Sequence, residues 1–143
     1  MPYHYLEEIA TADIAFEAWG KDLEEVFTAA GDATMNVMVE ELDSIRPRER
    51  RELKLENDAL DMLLFDLLQE LIYFKDAEKL LLRVSEIEIR EKDQKHLLEG
   101  IAVGEELDPS RHELRVDVKA VTLHRFSLEK TDRGWQASVI LDI

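Results

Sequence analysis

The clearest pattern in the chain is an alternation of apolar and polar residues, which recurs in its first and last parts. Ile14, Phe16 and Ala18 fall on one side of the first stretch, and Trp135 and Ala137 begin the last one. Such period-two alternation is typical of a β-strand with one buried face. Alternation and turn residues together predict strands at residues 3–9, 13–19, 51–56, 81–91, 95–103, 116–130 and 135–141.

Two other stretches repeat apolar residues every three or four positions, which predicts helices. The first runs from residue 22 to about residue 40, and the second has a leucine-rich face from Leu60 to Ile72. Asn57 or Asp58 is expected to cap the second helix. With residues 104–114 expected to be irregular, these elements predict one α+β domain over residues 1–143. Its sheet is largely antiparallel, and both helices pack on one face.

The charge balance narrows the range of partners. The chain has 33 Asp plus Glu against 18 Lys plus Arg, a formal net charge of −15. Direct nucleic-acid binding is not expected, because phosphate contacts need clustered basic side chains. A basic protein surface or a cation is a more suitable partner. No stretch is apolar enough to span a bilayer and no signal peptide is evident, so we expect a soluble cytoplasmic protein.

Common catalytic and metal-binding patterns are missing from the sequence. There is no glycine-rich phosphate loop, no HExxH or GxSxG, and no cysteine for a thiolate site. The four histidines lack zinc-site spacing. The sequence therefore contains no motif that assigns a reaction to this chain.

Carboxylates stand at the ends of the first and last alternating strands. Asp13 opens one strand, Asp142 closes the other, and Ile143 carries the terminal carboxylate. If the two strands are neighbours, these groups form an oxygen-rich cluster of the kind that hard divalent cations prefer, and calcium accepts it with loose geometry. Lys119 falls within the predicted strand 116–130, where a lone lysine is usually an ordinary ion-pair partner.

Several stretches together resemble the archease family. The family's opening motif is matched by Thr11-Ala12-Asp13-Ile14 and by Ala18-Trp19-Gly20, and residues 111–124 are close to its Glu-Val-Lys-Ala-Val-Thr-Tyr-His region. The ending, residues 139–143, is also similar, so the resemblance covers essentially the whole chain. The sequence departs from the family pattern at four positions: Ala10 replaces a histidine, Leu67 a tryptophan, Asp117 a glutamate and Leu123 a tyrosine.

The resemblance implies an accessory protein with no reaction of its own. Archeases assist the RtcB-type RNA ligase of tRNA splicing by promoting guanylylation of the ligase and multiple turnover. By similarity, Asp13, Asp142 and the terminal Ile143 would hold a divalent cation, typically calcium. Lys119 would be a further functional residue beside them.

Two alternatives remain open at this point. A general acidic protein-binding or chaperone module would bind many basic partners through charge alone. A metal-dependent hydrolase could use Asp13 and Asp142, although the sequence offers neither a base nor a nucleophile for it. The oligomeric state is not determined by these patterns.

Overall fold

The computed structural model describes residues 2–6 and 13–143. Within them, two α-helices, α1 (Leu23–Met38) and α2 (Leu60–Glu78), accompany seven β-strands. The strands are β1 (Tyr3–Tyr5), β2 (Asp13–Gly20), β3 (Glu49–Asn57), β4 (Leu80–Lys92), β5 (Lys95–Glu106), β6 (Ala120–Thr131) and β7 (Gly134–Asp142). The predicted α+β class is confirmed. Residues 7–9 of the predicted first strand lie outside the described residues.

The described strands form two antiparallel sheets where a single sheet was expected. One has four strands in the order β1-β2-β7-β6, and the other has three in the order β3-β5-β4. Helix α1 packs on β2 and β7 of the first sheet and on β4 of the second, while α2 packs on β6 and on all three strands of the second sheet. The two helices therefore join the sheets around one core.

The core consists of the apolar faces that the periodicity identified. Phe16 of β2 is fully buried in this core among helix and strand residues. Neither helix in residues 2–6 and 13–143 is long and apolar enough to cross a membrane. The largest fully buried side chains are Phe16, Phe27, Met35, Leu63, Leu64, Leu67, Leu68, Leu71, Leu81, Leu82, Leu98 and Leu141.

The start of α2 differs from the prediction. The residue at the N-cap is Ala59, with no side-chain cap, because β3 extends through Asn57. Asn57 still supports the turn, since its side-chain oxygen accepts a hydrogen bond from the Ala59 N–H at 3.0 Å. At α1 the cap is Asp22, whose carboxylate accepts from the Glu25 N–H at 2.9 Å.

Strand β5 continues to Glu106, beyond the expected end at residue 103. Gly104 permits this extension, because a Cβ at that position would lie 1.7 Å from the carbonyl oxygen of Leu81 in β4. The two backbones can therefore pair through Gly104 only while it lacks a side chain.

The predicted strand 116–130 begins only at Ala120. The preceding residues take their backbone partners elsewhere: the N–H groups of Arg115 and Val116 donate to Met38 and Val37 at the end of α1, at 2.8 and 3.3 Å. The last carbonyl groups of a helix have no partner within the helix. They accept from these N–H groups, which are then not available to pair with a neighbouring strand. Residues 113–119 thus form an extended segment that leads from the end of α1 to the four-stranded sheet.

Candidate functional site

Asp13 and Asp142 are direct cross-strand partners at one end of the four-stranded sheet. Asp13 is the first residue of β2 and Asp142 is the last residue of β7, so the condition drawn from the sequence, that these strands are neighbours, is met. Opposite residues of an antiparallel pair point to the same face, with Cβ atoms about 4.5–5.5 Å apart. The two half-buried carboxylates therefore project side by side.

The pair lies on the face of the sheet that points away from the helices. The next residues on this face are Ala15 of β2 and Ile140 of β7, which also pair with each other. They are only 2% and 4% exposed, yet they do not belong to the main core. The carboxylates thus stand at the edge of a small buried apolar floor, where charge interactions are screened less than in bulk water.

Thr122 of β6 adds an unpartnered oxygen to this face. Thr122 pairs with Ile140, one row away from the pair formed by Ala120 and Asp142. Its hydroxyl is buried and has no hydrogen-bond partner among the described residues. Buried polar atoms almost always have a hydrogen-bond partner in folded proteins, so this hydroxyl is an oxygen that a ligand on this face could use.

The chemistry of these groups fits a hard divalent cation. Asp13 and Asp142 supply two carboxylates, and two like charges placed opposite each other are destabilising without a cation. Ile143 follows Asp142 directly. Residues 2–6 and 13–143 contain no cluster of three His, Cys, Asp or Glu side chains arranged for a metal. A bound ion would therefore depend on terminal, hydroxyl or water oxygens as well, which calcium and magnesium accept.

Lys119 reaches this site through its backbone. Its N–H donates to the carbonyl oxygen of Asp142 at 2.8 Å, and the next residue, Ala120, is the cross-strand partner of Asp142. Its side chain is exposed, and it forms no ion pair with another described residue. The interpretation of Lys119 as a strand residue is wrong, because it lies in the segment that precedes β6. Asp117, two residues before Lys119, forms an ion pair with Lys75.

Lys75 is a buried charge that the periodicity did not single out. It is 6% exposed, and its ammonium group lies 2.5 Å from an Asp117 oxygen and 2.6 Å from an Asp76 oxygen. Burial disfavours the charged form, but the hydrogen bonds that the ammonium donates to Asp117 and Asp76 outweigh it and raise the pKa of Lys75. The sequence contained one indication of this burial: Lys75 lies three residues after Ile72, and therefore on the apolar face of α2.

A second buried polar group fixes the loop that precedes residues 113–119. His112 is 2% exposed, and its Nδ1 accepts a hydrogen bond from the Asp108 N–H at 2.9 Å. The neutral ring therefore carries its proton on Nε2, which lies 3.0 Å from a Glu105 carboxylate oxygen. The same oxygen accepts from the Arg46 N–H at 2.7 Å and from the Arg111 guanidinium.

Stability is expected to fall in mild acid because of His112. Burial, followed by the charge of Arg111, lowers the pKa of this histidine below its ordinary value. In the unfolded chain its pKa is about 6.5, so the stabilisation is complete above that pH and is lost as pH falls through the lower folded value. Urea unfolding between pH 7 and 5 should show uptake of up to about one proton per molecule on unfolding from this group.

The matched variant for this measurement is His112→Gln. Glutamine keeps an amide donor for Glu105 but does not titrate, so the variant should lose that part of the pH dependence. Equal pH dependence in both proteins would contradict the assignment of a neutral buried His112.

Comparisons with known proteins agree over nearly the full chain. A model of the Archease protein family matches residues 3–143. The chain is 37% identical to protein archease of Pyrococcus abyssi over 134 residues, which cover 93% of this chain and 94% of that protein. It is also 37% identical to protein archease of Methanosarcina mazei over 142 residues, with 99% and 95% covered.

Solved structures share the fold. The solution structure of Methanobacterium thermoautotrophicum protein 1598 matches with a TM-score of 0.85 at 36% identity, covering 99% of both chains. The crystal structure of an archease from Thermotoga maritima, described as a possible chaperone, matches with a TM-score of 0.60 at 19% identity and 98% coverage of both chains, and supports the fold alone. The family resemblance of the sequence motifs is thereby confirmed, and the chain belongs to the archease family.

Proposed function

We propose that this protein is an accessory factor of an RtcB-type RNA ligase, acting in the cytoplasm in tRNA splicing. It would promote guanylylation of the ligase and multiple turnover without catalysing a reaction itself. The observation that supports this most is the pairing of Asp13 with Asp142, next to the backbone contact between Lys119 and Asp142. This arrangement supports the proposal, because Asp13, Asp142 and the backbone of Lys119 lie close together at one end of the four-stranded sheet.

In this proposal, Asp13, Asp142 and the terminal carboxylate of Ile143 hold a divalent cation, most suitably calcium. A cation bound there would offset phosphate charge when the site meets a nucleotide on the ligase. The cross-strand pairing holds the two aspartates side by side, and the segment that ends at Ala120 brings Lys119 to the same end of the sheet. Lys119 would supply an exposed positive charge for an anionic group of the complex.

The charge of the chain supports a protein partner with a basic surface. At −15, the molecule is attracted over long range to a surface of the kind that binds RNA, and such steering mainly raises the association rate. Direct binding of RNA to this chain is not part of the proposal, since a net charge of this sign repels phosphates.

Calcium titration of the purified protein tests the cation site directly. By isothermal calorimetry, Asp13→Asn and Asp142→Asn should each weaken calcium binding by about ten-fold or more, because each removes a carboxylate ligand. Asp132→Asn is the matched control, because this exposed aspartate lies in the turn at the opposite end of β7. Equal affinity in all four proteins would exclude the proposed site.

A general acidic binding module is the second candidate, and the net charge of −15 is what favours it. Such a protein would bind basic partners through long-range charge, and moderate salt would abolish the binding. It would also be insensitive to Asp13→Asn and to Lys119→Ala. Ligase binding measured at low and moderate salt with these two variants separates the two functions.

A further inference from the structure

Helix α2 holds the chain on both sides of Lys119. On one side, the Lys75 ammonium donates to the carbonyl oxygen of Val118 at 2.9 Å and to the Asp117 carboxylate. On the other side, the side-chain oxygen of Gln69 accepts from the Val121 N–H at 3.2 Å. Between these points, the Lys119 N–H donates to the carbonyl oxygen of Asp142.

The spacing of the two helix residues matches the spacing of the segment they hold. Gln69 and Lys75 are six residues apart, which corresponds to about 9 Å along a helix. Val118 and Val121 are three residues apart, which is about 10 Å in extended chain. Two side chains of α2 therefore hold the segment at two points, with Lys119 between them.

Packing alone does not account for Lys75. Its position continues the apolar face of α2, where methionine or leucine would fill the space without the cost of burying an ammonium group. Its carboxylate partners Asp117 and Asp76 are 67% and 56% exposed, so only the lysine end of each ion pair is removed from water. The contact that an apolar side chain could not replace is the hydrogen bond to the Val118 carbonyl. This bond holds the segment directly before Lys119.

We propose that Lys75 is a positioning residue of the Asp13–Asp142 site. By holding Asp117 and Val118 from α2, it keeps Lys119 against the end of β7 and fixes Lys119 relative to the two aspartates. The functional part of this inference rests on the proposed function. The structural part, that Lys75 immobilises the segment, does not.

Amide hydrogen exchange by NMR tests the structural part. In Lys75→Met, exchange of the Lys119 amide should rise at least about ten-fold. The amide of a fully buried helix residue such as Leu64 should exchange faster only to the extent that global stability falls. Arg51→Met is the matched control, because it removes another ion pair of α2, that with Glu78, which ties the helix to β3. Lys75→Gln, which keeps one donor for Val118, should restore part of the protection.

The functional part is read from calcium affinity and ligase stimulation in the same variants. Lys75→Met should weaken both by about three-fold or more, and Arg51→Met should leave both unchanged. If Lys75→Met does not fold, Asp117→Asn replaces it, since this side chain is exposed and removing its charge should also loosen Lys119.

The outcomes separate this inference from the proposed function. If the wild-type protein neither binds calcium nor stimulates the ligase, the proposed function fails, while exchange at Lys119 still decides the role of Lys75. Unchanged Lys119 exchange in Lys75→Met and in Asp117→Asn would overturn the positioning role. If Lys119 exchange increases while calcium affinity and ligase stimulation stay unchanged, Lys75 holds the segment but does not act on the Asp13–Asp142 site, and that part of the inference is overturned.

Discussion

Replacing Asp13 and Asp142 together with alanine is expected to abolish stimulation of ligase guanylylation and leave the fold intact. Both side chains lie on the face opposite the core and at strand ends, so little packing is lost. Removing two like charges that stand opposite each other should also relieve a repulsion of roughly 0.2–1 kcal/mol in the ion-free protein. The variant should therefore melt at or above the wild-type temperature without added metal while losing its activity.

The measurement is labelling of the ligase with radioactive GTP at a fixed low concentration of the acidic protein. The matched control is Asp58→Ala with Asp132→Ala, which removes the same net charge from two exposed turn positions. The control should keep at least about half of the stimulation. Long-range attraction depends mainly on net charge, and removing two charges from a net charge of −15 changes it only slightly. Equal loss in both double variants would show that charge, and not this site, carries the effect.

The largest expected effect on stability is that of Gly104→Ala. The added Cβ would lie 1.7 Å from the Leu81 carbonyl oxygen, and both atoms belong to backbones that pair in the same sheet. The strands would have to separate at this point, which should cost at least about 3 kcal/mol, at the upper end of overpacking effects. For a chain of this size, thermal melting should drop by about 10 °C.

Gly31→Ala is the matched control for this prediction. Its Cβ would meet only the ends of two side chains, Leu71 at 3.2 Å and Val84 at 3.8 Å. Alanine is also favoured over glycine inside a helix by about 1 kcal/mol. The stability of this variant should stay within about 1 kcal/mol of wild type. A Gly104→Ala protein that melts like the Gly31→Ala protein would contradict the close approach of β4 and β5.

Much of the fold could be predicted because each element carries its own periodicity. The alternation of β2 and β7 and the leucine face of α2 are local patterns, and each marks the side that is buried. The division into two sheets could not be predicted in this way. Which strands pair depends on contacts between distant residues, such as β2 with β7, and no local pattern encodes them.

The candidate site was predictable in part for the same reason. Asp13 and Asp142 stand at recognisable strand ends, so their pairing followed once the strands were neighbours. The extended segment before β6 was not foreseen, because its valines alternate like a strand while its backbone bonds go to the end of α1. Lys75 was missed because its partners, Asp117 and the Val118 carbonyl, are more than forty residues away.

Ligation turnover at limiting ligase tests the central claim most directly. The cognate RtcB-type ligase would be supplied with GTP, metal and an RNA carrying a 2′,3′-cyclic phosphate end, with and without this protein. We predict about one ligation per ligase molecule in its absence and many in its presence, with the increase lost for Asp13→Ala. Equal turnover with and without the protein, under conditions where the ligase alone is active, would contradict the account.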